Sequence, residues 1–301
     1  MRKWYQDGDL VRALPRRYQA YAYWSRLAGD PASRRVPAGS FLLRSIRGLS
    51  RLAGLDTVAQ VRGIDRLTVL ADFADERILE VVHEIRGENP EYAMMRAILC
   101  KGDTFIDVGA NFGTFSLLAS RRVGPEGKVI AIEPQPRLAG LIRKSVELSE
   151  VANARVIEAA IGSAPGVVTL LVPSNDTGRA GIFPAFSGKG SHEGVQREVL
   201  TLDSLAAEIP RGGRVFMKID VEGSELAVLD GATEIVSTRK PVILVELNPW
   251  SARAAGRTTS DLLDKLDNLG YRSFSTTTSF PKHLQRSEIP LDRQTNLLAT
   301  M

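Results

Sequence analysis

Cysteine is almost absent from this 301-residue chain: Cys100 is the only one. A single thiol excludes an internal disulfide framework and a multi-cysteine metal site, and makes a cytoplasmic protein the default expectation. Histidine is scarce as well, with His83, His192 and His283 as the full complement. No apolar run approaches the roughly 20 residues needed to span a bilayer. The opening Met1-Arg2-Lys3-Trp4-Tyr5-Gln6-Asp7 leads into no apolar signal-peptide core. What the chain does have is 44% apolar residues, enough to bury one large α/β domain with an appendage, or two domains.

Charge is unevenly spread. The whole chain is +4, yet residues 1–55 hold eleven Arg or Lys against three Asp, so the remainder is −4. Residues 1–55 also carry Trp4, Tyr5, Tyr18, Tyr21, Tyr23, Trp24 and Phe41, punctuated by Pro15, Pro31 and Pro37. The pattern predicts short helices joined by turns. Basic residues mixed with aromatics suit a peripheral membrane or glycolipid contact. Because the basic residues are dispersed, the favoured reading is an extension that packs its aromatics on the body or on a second copy of the chain. No nucleic-acid partner is expected.

Residues 57–73 read as a strand pair around Gly63-Ile64-Asp65. Residues 75–86 read as a helix, with Ile78, Leu79, Val82 and Ile85 at helical spacing. Pro90 opens another helix, which Lys101-Gly102-Asp103 terminates. From residue 104 strands and helices alternate: strands at 104–108, 128–133 and 154–160, with helices at 113–122 and 136–149. A strand-like stretch at 167–172 leads to a Gly/Ser-rich loop at 173–194. Then come strand 197–201, a short helix at 203–208, strand 214–220, helix 224–236, strand 241–247, helix 258–269, and strands near 271–276 and 295–300. Alternation of this kind predicts a mainly parallel sheet with helices on both faces. Phe183, Pro184 and Phe186 give the 173–194 loop apolar anchors, which favours a lid over a substrate.

The strand at 104–108 ends in Asp107-Val108-Gly109-Ala110-Asn111-Phe112-Gly113. A dinucleotide-binding turn usually reads G-x-G-x-x-G, its second glycine letting the backbone approach a pyrophosphate. Asn111 stands in that place, and Asp107 sets a carboxylate beside the turn. Both disfavour a diphosphate and suit a cationic ligand. S-adenosylmethionine has no phosphates and carries an ammonium and a sulfonium. Glu133, at the end of the next strand and 26 residues after Asp107, is placed to accept hydrogen bonds from ribose hydroxyls, a need that NAD shares.

A second acidic strand end follows in Lys218-Ile219-Asp220-Val221-Glu222-Gly223-Ser224-Glu225. Asp220 reaches the same edge of the sheet and is a functional-site candidate. Glu222 and Glu225 also read as exposed first-turn acids favourable to a helix dipole, Glu225 more so. The next strand delivers Glu246 and Asn248. With Asp220 they could bind substrate hydroxyls or hold a hard cation; no metal is assigned to them.

Together these residues resemble the FkbM family of S-adenosylmethionine-dependent methyltransferases. The resemblance runs from about residue 80 to 300. It rests on Ile106 to Gly113, Ala131-Ile132-Glu133-Pro134, Thr201-Leu202-Asp203-Ser204-Leu205, Lys218 to Gly223 continuing to Val228-Leu229-Asp230-Gly231, Pro241 to Glu246, and Asn296-Leu297-Leu298-Ala299. It implies an α/β, class I methyltransferase, Rossmann-like fold: a seven-stranded sheet, parallel except for its last strand. The division expected is 1–55 as a mainly helical extension, 56–100 as a strand pair and helices leading into the core, and 101–301 as the methyltransferase domain. It also implies methylation of a hydroxyl on a sugar, a lipid-linked glycan or a natural-product small molecule. On this reading Gly109, Ala110, Asn111 and Gly113 contact the methionine portion, Asp107 its ammonium and Glu133 the ribose. Asp220, which also borders the cofactor, is the leading base or hydroxyl-orienting group, supported by Glu222 or Glu246. His192 is an alternative base, and His83 and His283 are structural or exposed. The competing readings are a nucleotide-dependent oxidoreductase and a non-catalytic S-adenosylmethionine-binding protein.

Overall fold

The computed structural model describes residues 57–173, 176–184 and 192–301; the expectations for residues 1–55 lie outside them. In chain order the first elements are Val58–Arg62 (β1), Thr68–Asp72 (β2), Ile78–Ile85 (α1) and Pro90–Ile98 (α2). The sequence sets the start of α2 in two ways. Pro90 occupies the first turn, where its missing N–H costs nothing, and the Asn89 side chain accepts the Glu91 N–H at 2.7 Å.

The alternating part comprises Thr104–Val108 (β3), Thr114–Val123 (α3), Lys128–Ile132 (β4), Pro136–Leu148 (α4), Ala154–Ile157 (β5), Ala160–Ile161 (β6), Gly166–Pro173 (β7) and His192–Leu200 (β8). It continues with Val215–Ile219 (β9), Glu225–Asp230 (α5), Thr233–Arg239 (α6), Val242–Leu247 (β10), Pro249–Ala254 (α7), Thr259–Asn268 (α8), Ser273–Thr276 (β11) and Thr295–Thr300 (β12). The central sheet has seven strands in the order β11-β12-β10-β9-β3-β4-β5. β10, β9, β3, β4 and β5 pair parallel, and only β12 runs against its neighbours β10 and β11. This is the class I methyltransferase arrangement.

All five residues of β3 and all five of β9 are buried, as expected for strands covered on both faces. Alternation then sorts their side chains. Phe105 and Phe216 stack with ring centroids 5.7 Å apart in one apolar cluster, shared with β1, β2, α1 and α2. Ile106, Val108, Met217 and Ile219 enter the other cluster, beneath α5, α6 and α8. The β1–β2 hairpin is tied to α4: Ser145 and Ser149 accept the Leu70 and Thr68 N–H groups at 2.8 and 2.9 Å.

Three sequence expectations change. The strand expected at 154–160 divides, because β6 leaves the central sheet to pair with β8 in a separate β6-β8-β7 sheet. The helix expected at 224–236 becomes α5 and α6. Gly231 sits at the break, where a Cβ would lie 2.1 Å from the Gly162 carbonyl. β7 and β8 form a long antiparallel ladder from Gly166 opposite Val199 to Pro173 opposite His192, so His192 belongs to a strand. No helix among the described residues is long and apolar enough to cross a membrane.

Candidate active site

The turn after β3 is built by backbone contacts that only certain residues permit. Gly109 has φ +83°, and a Cβ there would lie 1.9 Å from the Asp220 carbonyl. Glycine therefore lets the ends of β3 and β9 touch, and the Asp220 N–H closes the contact on the Val108 carbonyl at 3.0 Å. The Gly109 and Ala110 N–H groups both donate to the Ile132 carbonyl at 3.0 Å. Asn111, at φ +51°, donates its N–H to Glu133 Oε2 at 2.8 Å, and the Gln135 N–H holds Oε1 at 2.9 Å. Turn and acid are thus one unit. Burial raises the Glu133 carboxyl to about 7 despite the two N–H bonds.

This bonding bears on the ligand. A diphosphate needs a row of free N–H groups, and those of Gly109, Ala110 and Asn111 are already paired. What the turn presents instead is acceptor atoms: Asn111 Oδ1 is buried without a hydrogen-bond partner, and each Glu133 oxygen has a lone pair to spare. A cleft lined by acceptors fits the ammonium and ribose hydroxyls of S-adenosylmethionine.

The cleft encloses about 890 Å³, part of it open to solvent. Gly109, Asn111, Glu133, Asp220 and Glu222 line it at the strand ends, and Val168, Leu170 and Val199 from the β7–β8 ladder form an apolar wall. The described part of the expected lid also lines it. Thr177 donates its N–H to Asp75 Oδ2 at 3.1 Å and accepts Gln135 Nε2 on its carbonyl at 3.1 Å. His192, opposite Pro173, is not among the lining residues.

Asp107, Ala110 and Gly113 do not line the cleft. Asp107 lies deeper in the strand, on the face it shares with Lys218, where Ser116 Oγ donates to it at 2.6 Å. Burial raises its carboxyl, with the cation of Lys218, its register partner, opposing. Ala110 packs with Ala131 and Ile142, and Gly113 lies against Ile142.

Asp220, Glu222 and Glu246 converge, each offering an oxygen within 4.8 Å of the others. That spacing is one a hard cation accepts. Like charges about 4 Å apart repel by roughly 4 kcal/mol at an effective dielectric constant of 20, so the three carboxyls cannot all ionise freely. Lys218 decides which one does. Its ammonium lies 2.9 Å from Asp220 Oδ2 and 5.1 Å from the centroid of the Phe115 ring. Burial pushes the Asp220 carboxyl up, but Lys218 and then Arg77 hold it below the usual carboxylate range. Glu222, at φ +52°, is pushed to about 10 by burial and by Glu246 and Asp220. Glu246, hydrogen-bonded by the Gln294 and Asn248 side-chain amides, is pushed to about 8 by burial and Asp220.

Glu225 differs from its expected exposed role. It is buried, and its Oε1 accepts the Gly223 and Val221 N–H groups at 3.1 and 3.3 Å. The carboxylate folds back to close the turn after β9. Lys218, Arg77, Gln135 and Thr177 carry no role in the sequence reading. For Lys218 a signal exists: residues two apart on a strand share a face, so a lysine two before Asp220 lies beside it. Arg77 lines the cleft and pairs with Glu80 and Glu84 at 3.0 and 3.2 Å; nothing in its local pattern announces that position.

The chain matches the methyltransferase FkbM domain over residues 107–273. It is 30% identical over 161 residues to a probable cobalt-precorrin-6B C(15)-methyltransferase (decarboxylating) of Sulfolobus acidocaldarius, covering 54% of this chain and 74% of that one. It is 26% identical over 156 residues to methyltransferase sdnD of Sordaria araneosa, covering 43% of this chain and 60% of that protein's length. With the hexuronic acid methyltransferase AglP of Haloferax volcanii it shares 26% over 182 residues, covering 58% and 69%. A nucleotide-dependent oxidoreductase is set aside, and the chain belongs to the FkbM domain family of S-adenosylmethionine-dependent methyltransferases.

Proposed function

We propose that the protein methylates a hydroxyl oxygen, on a sugar or glycan or on a natural-product small molecule. The observation that carries this reading is the Asp220–Glu222–Glu246 convergence at the edge of the cofactor cleft, with a buried lysine keeping Asp220 ionised. When bound, S-adenosylmethionine supplies the methyl group on a sulfonium. Glu133 accepts the ribose hydroxyls, and Asn111 Oδ1 with the turn at Gly109 faces the amino-acid portion. Asp107, beside Ser116 and Lys218, braces the strand end from below the cleft.

An acceptor hydroxyl has a pKa far above neutral, so its proton must leave as the new carbon–oxygen bond forms. Asp220 is ionised and receives that proton. Its basicity is modest, so proton loss accompanies bond formation instead of preceding it. Glu222 and Glu246 are largely neutral at pH 7; each can donate a hydrogen bond to the acceptor and hold its hydroxyl toward Asp220. Orientation of this kind supplies much of the rate in a displacement that needs three atoms in line. A sugar acceptor agrees with the hexuronic acid methyltransferase among the relatives.

The test is transfer of labelled methyl from S-adenosylmethionine to fractions of cell extract. Label in an alkali-stable methyl ether on a glycan or small molecule is expected. Label on carbon, on nitrogen or in an alkali-labile ester would overturn the hydroxyl assignment.

A further inference from the structure

S-adenosylmethionine ends in a zwitterion, an ammonium beside a carboxylate. The acceptor atoms of the β3 turn suit the ammonium and repel the carboxylate. The N–H groups of Gly109, Ala110 and Asn111 are already paired and cannot take it. Among the described residues that line the cleft, Arg77 is the one with a positive charge. It comes from the connection between β2 and α1, about 30 residues before the matched domain begins at Asp107.

Arg77 is fixed by folding. Its backbone N–H donates to Asp75 Oδ1 at 2.9 Å, and its Nε and Nη2 meet Glu80 and Glu84 at 3.0 and 3.2 Å. Gly178 packs against the arginine stem, since a Cβ there would lie 2.5 Å from Arg77 Cδ. The two acids occupy Nε and Nη2. Nη1, with two N–H groups, makes no hydrogen bond or ion pair with any described residue. The side chain is 22% exposed, so this is a cleft-wall arginine and not a free surface cation. A few contacts also tie it to Asn111. Asp75, 3% exposed, accepts the Arg77 N–H on one oxygen and the Thr177 N–H on the other. Thr177 Oγ1 lies 3.5 Å from Asn111 Nδ2, and Asn111 Oδ1 is left without a partner. One buried carboxylate thus holds both the arginine and the residue that meets Asn111. A free guanidinium edge and a free acceptor on one cleft complement the two charges of an α-amino acid.

Building on the placement of the donor's amino-acid portion at the turn, and independently of what the acceptor is, we propose that Arg77 binds the carboxylate of S-adenosylmethionine while Asn111 Oδ1 takes its ammonium. The site then selects a complete amino-acid tail and discriminates against a donor that lacks the carboxylate. Arg77 is a binding residue here; it touches none of the reacting atoms.

Calorimetry on the full chain with S-adenosylhomocysteine and with decarboxylated S-adenosylhomocysteine tests this, because the two differ only in the carboxylate. The wild type should bind the first at least about tenfold more tightly. Arg77→Gln should weaken S-adenosylhomocysteine by about tenfold or more and leave the decarboxylated compound within about threefold, which erases the preference. Arg77→Lys should restore part of it. An arginine with a purely structural role would weaken both compounds alike. Arg77→Gln leaves the buried Glu84 without its cation; if that variant does not fold, the double variant with Glu84→Gln removes both partners and carries the same expectation. The inference falls if the wild type binds the two compounds equally, or if the substitution weakens both by one factor or changes neither. Failure of the wild type to bind either compound would instead overturn the donor placement, and this inference with it.

Discussion

The two halves of the site are built by opposite rules. On the donor side the backbone is settled by folding: both Glu133 oxygens hold N–H groups, and the Gly109 and Ala110 amides close on Ile132, leaving Asn111 Oδ1 as the open acceptor. On the acceptor side three carboxyls crowd together, Glu222 Oε2 is buried without a partner, and Lys218 is the close cation on Asp220. The donor half has its geometry before any ligand arrives. The acceptor half instead crowds three acids that cannot all ionise together, as expected where acids are tuned for chemistry. Removing a group should therefore damage binding on one side and reaction on the other.

The sharpest break in that comparison is Asp220→Asn. If Asp220 belongs to the acceptor half, turnover should fall by about 10³, while S-adenosylhomocysteine affinity changes by less than about tenfold. Equal losses in both would move Asp220 to the donor half. Lys218→Met comes next. Lys218 lies between Asp107 and Asp220, and its loss leaves the buried Asp107 and the half-buried Asp220 without their closest cation. About 3–5 kcal/mol of unfolding free energy should disappear, read from urea transitions, with Lys218→Arg recovering much of it. A loss below about 1 kcal/mol would mean that Asp107 and Asp220 do not depend on the lysine.

The donor half was the more legible of the two in the sequence. Gly109, Asn111 and Glu133 announce themselves because a glycine turn and a strand-end acid are local patterns at a spacing the sheet imposes. The mainly parallel sheet covered by helices was equally readable from the alternation of buried strands with amphipathic helices, whereas the seven strands and the antiparallel last one rested on the family resemblance. Asp107 differs for a local reason: adjacency to the turn in sequence does not say how deep a side chain lies, and Asp107 is buried below the cleft beside Ser116 and Lys218. Glu225 misled because its role depends on the path of the turn after β9, which returns two N–H groups to the carboxylate. Arg77 and Thr177 come from segments about 30 residues before and 70 residues after the β3 turn, and only tertiary packing brings them to the cleft.

Glu133→Gln sharpens the comparison from the donor side. If Glu133 accepts the ribose hydroxyls, the substitution should weaken S-adenosylhomocysteine by about 10- to 100-fold, and it should also cost about 1–3 kcal/mol of stability, because one of the two backbone N–H groups that Glu133 holds would then face an amide NH2. The wild-type protein should also bind the donor product more tightly as pH rises through about 7, where Glu133 ionises. Hydroxyl donors favour the charged form, so below that pH binding releases a proton. Calorimetry in buffers of different ionisation enthalpy reads that proton, and a flat affinity from pH 6 to 8 would separate Glu133 from the ribose.

The smallest effect expected lies in the stability of the acceptor half. Folding raises the Glu222 and Glu246 carboxyls from 4.5 to about 10 and about 8, so the folded chain holds protons that the unfolded chain releases. Their contribution is complete below the unfolded value and is lost as pH rises through the folded ones. Thermal stability should therefore decline between pH 6 and pH 9. Glu133 and Glu225, both raised to about 7, add to the decline in any variant that keeps them. The difference between wild type and Glu222→Gln isolates the acceptor cluster, because the amide keeps the shape and cannot ionise. The variant should melt at nearly the wild-type temperature at pH 5 and about 2 °C above it at pH 9, a gap worth roughly 1 kcal/mol for a chain of this size. Parallel melting curves across that range would show that Glu222 is not held protonated by its neighbours. The acceptor half would then be as settled as the donor half, and the contrast between the two would fail at its most sensitive residue.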